Sequence, residues 1–271
     1  RTTSSAASDV YKRQIMNLQT LPSPPISTQS LPLSNQVHLN DLLLENEMYF
    51  LDCATTTTIH NIASVYTNDL QKQRFVLKIH REKSAQEKEC AILQVLQDST
   101  YIVTLKEKLT TNKIPSIPSA YGLVLEQGKW NLSEMSWDDV SDFQKLAYIK
   151  QMLEVVQYIN DKGYVWRDVK PTNFVFFGDE KKGGLKAIDF DISLPKGSEI
   201  QDSQATALYT PPEFANYYIN STTKKMYINE TYDSWSMGMI ILEMMLNQHY
   251  IKMEREKNLP NCADSVSHED I

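Results

Sequence analysis

Asp168, Lys170 and Asn173 share one short loop, YVWRDVKPTNF at residues 164–174, and Asp189 follows after an apolar strand in AIDFDI at 187–192. Two carboxylates, an ammonium and a carboxamide beside strand-like apolar runs are more than a solvated surface loop requires. The chain as a whole carries 27 basic and 34 acidic side chains, a net charge of −7. That balance argues against a nucleic acid or an anionic membrane as the main partner, since each needs a basic face. Any phosphate-handling site on such a chain has to be local, with a metal to share the charge.

With 271 residues, 41% of them hydrophobic and 23% charged, the composition is globular and allows one large or two small cored domains. Cys53, Cys90 and Cys262 are far apart and odd in number. They offer neither a disulfide framework nor a paired-cysteine metal knuckle, and they predict a cytoplasmic or nuclear location. The longest apolar run, Met237 to Leu246, contains Glu243 and falls far short of the roughly 20 residues of a membrane span. No apolar stretch of signal-peptide type stands near the N-terminus. Residues 1–15 lack an apolar period, resemble sequencing-adapter read-through and are set aside as non-native. Residues 16–40 are expected to form a flexible leader, because 17–36 are rich in Pro, Ser, Thr and Gln and too poor in branched and aromatic side chains for a core. A polyproline-type docking peptide is the alternative use of that segment. Residues 252–271 are polar and show no closing helix, which would leave the domain expected over 41–271 incomplete at its C-terminal end.

The elements that must position the four polar residues can be read from apolar spacing. MYFLDC, IASVY and FVLKI, separated by turn-prone residues such as Thr67, Asn68 and Asp69, predict antiparallel strands. SAQE at 84–87 has the form of a capping box, and Cys90, Ala91, Leu93, Val95 and Leu96 after it give a helical stripe. YIVTL at 101–105 and YGLVL at 121–125 predict two further strands. SDFQ at 141–144 is a second capping box, followed by Leu146, Ile149, Leu153, Val156 and Ile159 on one expected helix face, with Gly163 placed to end the helix. From about Asp233 to Leu246 the helix expected is apolar on nearly every side, as burial in the middle of a lobe requires. Sheet first and helices afterwards predict an α+β protein in two lobes.

RDVKPTN at 167–173 resembles the catalytic loop of the protein kinase family, and DFD at 189–191 resembles its metal-binding DFG segment. In the same order along the chain, FVLK at 75–78 resembles the strand whose lysine holds the nucleotide phosphates, and EQG at 126–128 the hinge beside the adenine. TALYTPPE at 206–213 and DSWSMG at 233–238 resemble two later family segments. The resemblance implies a bilobal kinase-like α+β fold, with a small antiparallel-sheet lobe over about 41–126 and a larger, mainly helical lobe over about 127–271. It implies ATP and Mg²⁺ as cofactors and a protein as substrate. Lys170 and Thr206 resemble the branch that phosphorylates Ser and Thr hydroxyls. By the same resemblance Asp168 orients the hydroxyl and accepts its proton, and Asn173 and Asp189 hold Mg²⁺. Lys170 meets the γ-phosphate, and Lys78 grips the α- and β-phosphates while paired with Glu89. Glu87 is the alternative partner, because the connection from Lys78 is short. Val65, Val76, Glu126 and Gly128 fall where the family contacts the nucleotide.

The pattern is broken in several places. All eight glycines lie at or after Gly122, so the stretch at 58–65 cannot be a glycine-rich phosphate loop, and a weaker or differently arranged grip is expected. His60 there reads as a solvated loop residue. Trp166 stands where the family has His, and Asp191 where it has Gly, which either restricts that backbone or adds a carboxylate near the metals. Ser193, Ser198 and Ser203 lie in the expected activation segment, where Arg167 could pair with a phosphate. No arginine partner for Glu213 can be located in residues 247–271. The leading expectation is an ATP- and Mg²⁺-dependent Ser/Thr kinase; a pseudokinase scaffold and a choline- or aminoglycoside-type phosphotransferase are the alternatives. Nothing in the sequence indicates an oligomeric state.

Overall fold

Strand-forming residues open the described part of the chain: β1 (Tyr49–Leu51), β2 (Ile62–Thr67), β3 (Arg74–His80), β4 (Leu105–Thr110) and β5 (Tyr121–Glu126) form one antiparallel sheet in the order β1-β2-β3-β5-β4. The computed structural model describes residues 49–51, 62–67, 73–80, 82–97, 100–110, 121–178, 183–202, 204–220 and 225–247. The expected leader, the stretch at 58–61 with His60, the turn residues Asn68 and Asp69, Ser203 and residues 248–271 lie outside them.

Helix α1 (Lys83–Leu96) covers the sheet with Cys90, Ile92, Leu93 and Leu96, which share a core with Leu123 and Leu125. Gln86 is fully buried and ties the helix to the strands, its Nε2 donating to the carbonyls of Leu109 and Gly122 at 2.7 Å each. The expected capping box at Ser84 does not form. The helix starts two residues earlier, with Glu82 at the N-cap and no side-chain cap bond, so Ser84 lies inside the first turn. The strand expected at 101–105 is likewise shifted, and β4 begins only at Leu105. Tyr101 to Val103 instead bridge to the second lobe, where the Val103 N–H donates to the Ala187 carbonyl and the Ala187 N–H to that of Tyr101.

The second lobe is built on α2 (Asp142–Asp161) and α4 (Thr231–Leu246), with α3 (Pro212–Asn220) between them in sequence. The Ser141 box forms as expected, with Ser141 Oγ accepting from the Gln144 N–H, and Gly163 follows the helix at φ +84°. The buried stripe of α2 is Ile149, Met152, Val155, Val156 and Ile159; Leu146 and Leu153, expected on it, are exposed. The true inward face lies partly to one side of the residues picked by 3–4 spacing. Helix α4 buries Tyr232, Met237, Met239, Ile240 and Met244 but leaves Leu242, Met245 and Leu246 exposed, so it is buried on one side and not all round. Short strands β6 (Trp130–Asn131), β8 (Phe174–Phe177) and β9 (Gly184–Ala187) form a three-stranded sheet, and β7 (Tyr164–Val165) pairs with β10 (Leu194–Pro195). The architecture is bilobal α+β. No helix among the described residues is long and apolar enough to cross a membrane.

One side chain of α4 holds the loop that carries Asp168. Asp233, fully buried, accepts from the backbone N–H of Trp166 and of Arg167 and from Asn160 Nδ2, each at 2.9 Å. Those donors have to be satisfied, because Arg167 sits in the left-handed region at φ +68° and gains nothing from the regular ladder. Replacing Asp233 with Ala strands the two backbone donors in the core, Asn160 keeping its second bond to the Tyr164 carbonyl, and is expected to cost about 3 kcal/mol in urea unfolding, with Asp233→Asn losing less. A loss below about 1 kcal/mol for the Ala variant would contradict this role.

Candidate active site

The strand period puts Val76, Lys78 and His80 on one face of β3. Lys78 Nζ donates to Glu89 Oε1 and Asp189 Oδ1 at 2.8 Å each, and Asp191 Oδ1 lies 3.1 Å away. Glu89, 1% exposed, also accepts from the Phe190 N–H at 3.1 Å. The choice between the two glutamates is thereby resolved: Glu87 is exposed and reaches Lys83 and Lys108 instead. Burial works against charge on Lys78, but Asp189, Glu89 and Asp191 outweigh it and hold the ammonium well above its ordinary range. Burial likewise pushes Glu89 up, and the close approach of the His80 imidazole and the Lys78 charge more than reverse this, leaving the carboxyl well below the usual carboxylate range. Asp191 is pushed up to about 6, by burial first, with Lys78 opposing and the Glu89 and Asp189 charges adding to the rise.

Beside this cluster lies a second network. Asp168 Oδ1 accepts from Thr206 Oγ1 at 2.8 Å; its Oδ2 accepts from Asn173 Nδ2 at 2.7 Å and pairs with Lys170 Nζ at 2.9 Å. Lys170 Nζ also reaches Thr206 Oγ1 at 3.4 Å. Because the amide nitrogen of Asn173 is committed to Asp168, its carbonyl oxygen is the group it can offer a cation. With the part-exposed Asp189 carboxylate it makes a hard oxygen pair of the kind Mg²⁺ takes, so the residues present fit that ion. Trp166, in the histidine position, is fully buried against Phe174 and Phe190 and donates from Nε1 to the Asp189 carbonyl at 2.8 Å. It braces Asp189, whose φ of +63° needs such support.

The expected nucleotide contacts divide. Val76 shares the Lys78 face, whereas Val65 is a correction: the register pairs it with Phe75, which places it fully buried on the opposite face of the sheet. The Glu126 side chain is committed to Lys186 and to the Thr104 N–H and hydroxyl, so it ties the hinge to the second lobe and does not point a free carboxylate at a base. Gly128 permits close approach to β8: a Cβ there would come within 2.1 Å of Val175 Cγ1 and 3.3 Å of the Phe176 carbonyl.

The activation segment differs from expectation in its electrostatics. Arg167, fully buried, already pairs with Asp202 in a fork at 2.8 and 3.2 Å, and donates to the carbonyls of Ile192 and Gln204. Ser193 is buried with its hydroxyl on the Trp166 carbonyl, and Ser198 is half-buried. Sequence reasoning missed Asp202, which no motif marks, and Lys186. It also missed His80, although its place two residues beyond Lys78 on one strand face was a usable signal.

The family model of the protein kinase domain matches residues 61–268, and the chain belongs to the protein kinase family. Human serine/threonine-protein kinase Kist is 30% identical over 194 residues, covering 67% of this chain and 44% of its own length. Serine/threonine-protein kinase mph1 of Schizosaccharomyces pombe is 30% identical over 169 residues, covering 58% of this chain and 24% of its own length. A probable serine/threonine-protein kinase of Dictyostelium discoideum is 33% identical over 135 residues, covering 44% and 19%. The chain thus spans less than half the length of these curated relatives.

Burial pushes the Asp202 carboxyl up, but the Arg167 hydrogen bond and charge prevail and leave it below its ordinary 3.8. A depressed carboxyl contributes stability that is present above the unfolded value and is lost as pH falls through the folded one. Asp202→Ala should therefore cost about 1 kcal/mol at pH 7.5, discounted for a side chain about one-third exposed, and progressively less as pH falls below the unfolded value and through the lower folded one. Equal denaturant midpoints for variant and wild type at pH 7.5 would contradict the pairing.

Proposed function

We propose that the chain transfers the γ-phosphate of ATP to Ser or Thr hydroxyls of a protein substrate. The observation that carries this reading is the adjacency of two networks, Lys78 with Glu89 and Asp189, and Asp168 with Lys170, Asn173 and Thr206, joined where the N–H of Ile188, next to Asp189, donates to the Asn173 backbone carbonyl at 3.1 Å. Mg·ATP, when bound, supplies the phosphoryl group and the cation that neutralises its charge. Asn173 and Asp189 are the residues that would hold the metal, and Lys78 the one that would meet phosphate oxygens. Lys170, already against Asp168, brings positive charge to the place where the phosphoryl group must pass. Asp168 accepts the hydroxyl proton. A carboxylate offers about four acceptor sites, so its existing bonds to Thr206, Asn173 and Lys170 orient it without saturating it. The hydroxyl of Thr206 bridges Asp168 and Lys170, which supports the Ser/Thr branch.

A pseudokinase reading draws on one observation, the Asp191 carboxylate 3.1 Å from Lys78, where it competes for the ammonium that phosphates would use. Labelled-phosphate transfer from Mg·ATP to the protein itself and to a generic protein substrate separates the two. Activity is expected in the wild type, falling at least about a hundredfold in Asp168→Asn and in Lys78→Met. Signal indistinguishable between wild type and both variants would sink the catalytic reading.

A further inference from the structure

His80 is buried at the end of β3, on the same strand face as Lys78. Its Nε2 lies 3.0 Å from Glu89 Oε2, while Lys78 and the Phe190 N–H take Oε1 at 2.8 and 3.1 Å. The approach of the imidazole is off the line of an aligned hydrogen bond, and neither Nε2 nor Oε2 has another hydrogen-bonding partner among the described residues. A buried carboxylate oxygen with no donor keeps the whole cost of its desolvation; the imidazole is placed to offset it, and a protonated Asp191 carboxyl is the other neighbour able to donate to Glu89. Each oxygen of Glu89 is therefore held from β3, one by Lys78 and the other by His80.

We infer that His80 is a positioning residue for the nucleotide site: by facing Glu89 Oε2 it stops the carboxylate from rotating away, and so keeps Lys78 aimed at the phosphates. His80 also lies 3.9 Å, through Nδ1, from Asp191, and the ligand atoms of His80, Glu89 and Asp191 fall within 4.8 Å of one another. That spacing would suit a metal. Lys78 Nζ, however, already stands 2.8 and 3.1 Å from the Glu89 and Asp191 oxygens and brings the positive charge that a cation would otherwise supply. The inference rests on the proposed phosphotransfer only for its kinetic readout; nucleotide affinity tests it alone.

The test compares the full chain with His80→Leu, His80→Gln, Glu89→Gln and the His80→Leu/Glu89→Gln double variant, measuring Mg·ATP affinity by titration calorimetry, KM for ATP, kcat and the unfolding midpoint. His80→Leu is expected to weaken Mg·ATP binding and raise its KM by about tenfold. His80→Gln, whose amide N–H can still donate to Oε2, should recover affinity to within about threefold of wild type. In the Glu89→Gln background the Leu substitution should add nothing further, because both act through one carboxylate. The inference is overturned by wild-type affinity in His80→Leu, by additive losses in the double variant, or by equal losses in Leu and Gln that follow the unfolding midpoint. Stabilisation by Zn²⁺ in the wild type that His80→Gln lacks would also overturn it, in favour of a metal site. Absent phosphotransfer with the affinity pattern intact would remove the catalytic reading and leave this one standing; a wild type that binds no Mg·ATP would remove both.

Discussion

Three carboxylates converge on one ammonium, and the working geometry of both lobes depends on that meeting. Glu89 comes from α1, Asp189 and Asp191 from the segment after β9, and Lys78 from β3. The three carboxylate charges hold Lys78 charged against its burial, while burial first, and then the Glu89 and Asp189 charges, push Asp191 up against the opposing pull of Lys78. The cluster therefore acts in two ways. It fixes α1 against the sheet, and under the proposed phosphotransfer it presents the one lysine that would exchange a carboxylate for an incoming phosphate.

Support comes from behind, through the second lobe. Trp166 and Asp233 hold the backbone of the loop and of Asp189, each of which contains a non-glycine residue at positive φ. Such residues store about 1 kcal/mol or more of strain apiece and persist only where the surroundings leave no alternative. A buried indole with one N–H donor suits this position, because it fills the space beneath the loop and spends its polar atom on the Asp189 carbonyl. The Arg167–Asp202 fork adds a tether between this loop and the activation segment that needs no added phosphate.

Much of this was legible in the sequence, for identifiable reasons. The order of motifs from Lys78 to the DSWSMG segment pointed to the bilobal fold; Asp168, Lys170 and Asn173 share one network, while Asp189 meets Lys78, on the segment whose Ile188 N–H donates to the Asn173 backbone carbonyl. The second capping box was readable because a cap is a local pattern, whereas Ser84 failed because the same four residues also fit inside a first turn. Val65 was misplaced by one residue of strand register, which spacing alone cannot fix and which flips a side chain to the other face. Glu126 was read from its place in the hinge, but its partners, Lys186 and Thr104, are distant in sequence and only the fold brings them near. Asp202 carried no signal at all, since its role exists only through a buried arginine 35 residues away.

The central claim is that Lys78 and Lys170 flank a bound nucleotide's phosphates. Labelling with an acyl-phosphate derivative of ATP, followed by mass-spectrometric mapping of the acylated lysines, tests it most directly. The account predicts that the acyl group is found on Lys78 and Lys170 and that excess Mg·ATP protects both. Acylation spread over surface lysines, with no protection by Mg·ATP, would contradict it.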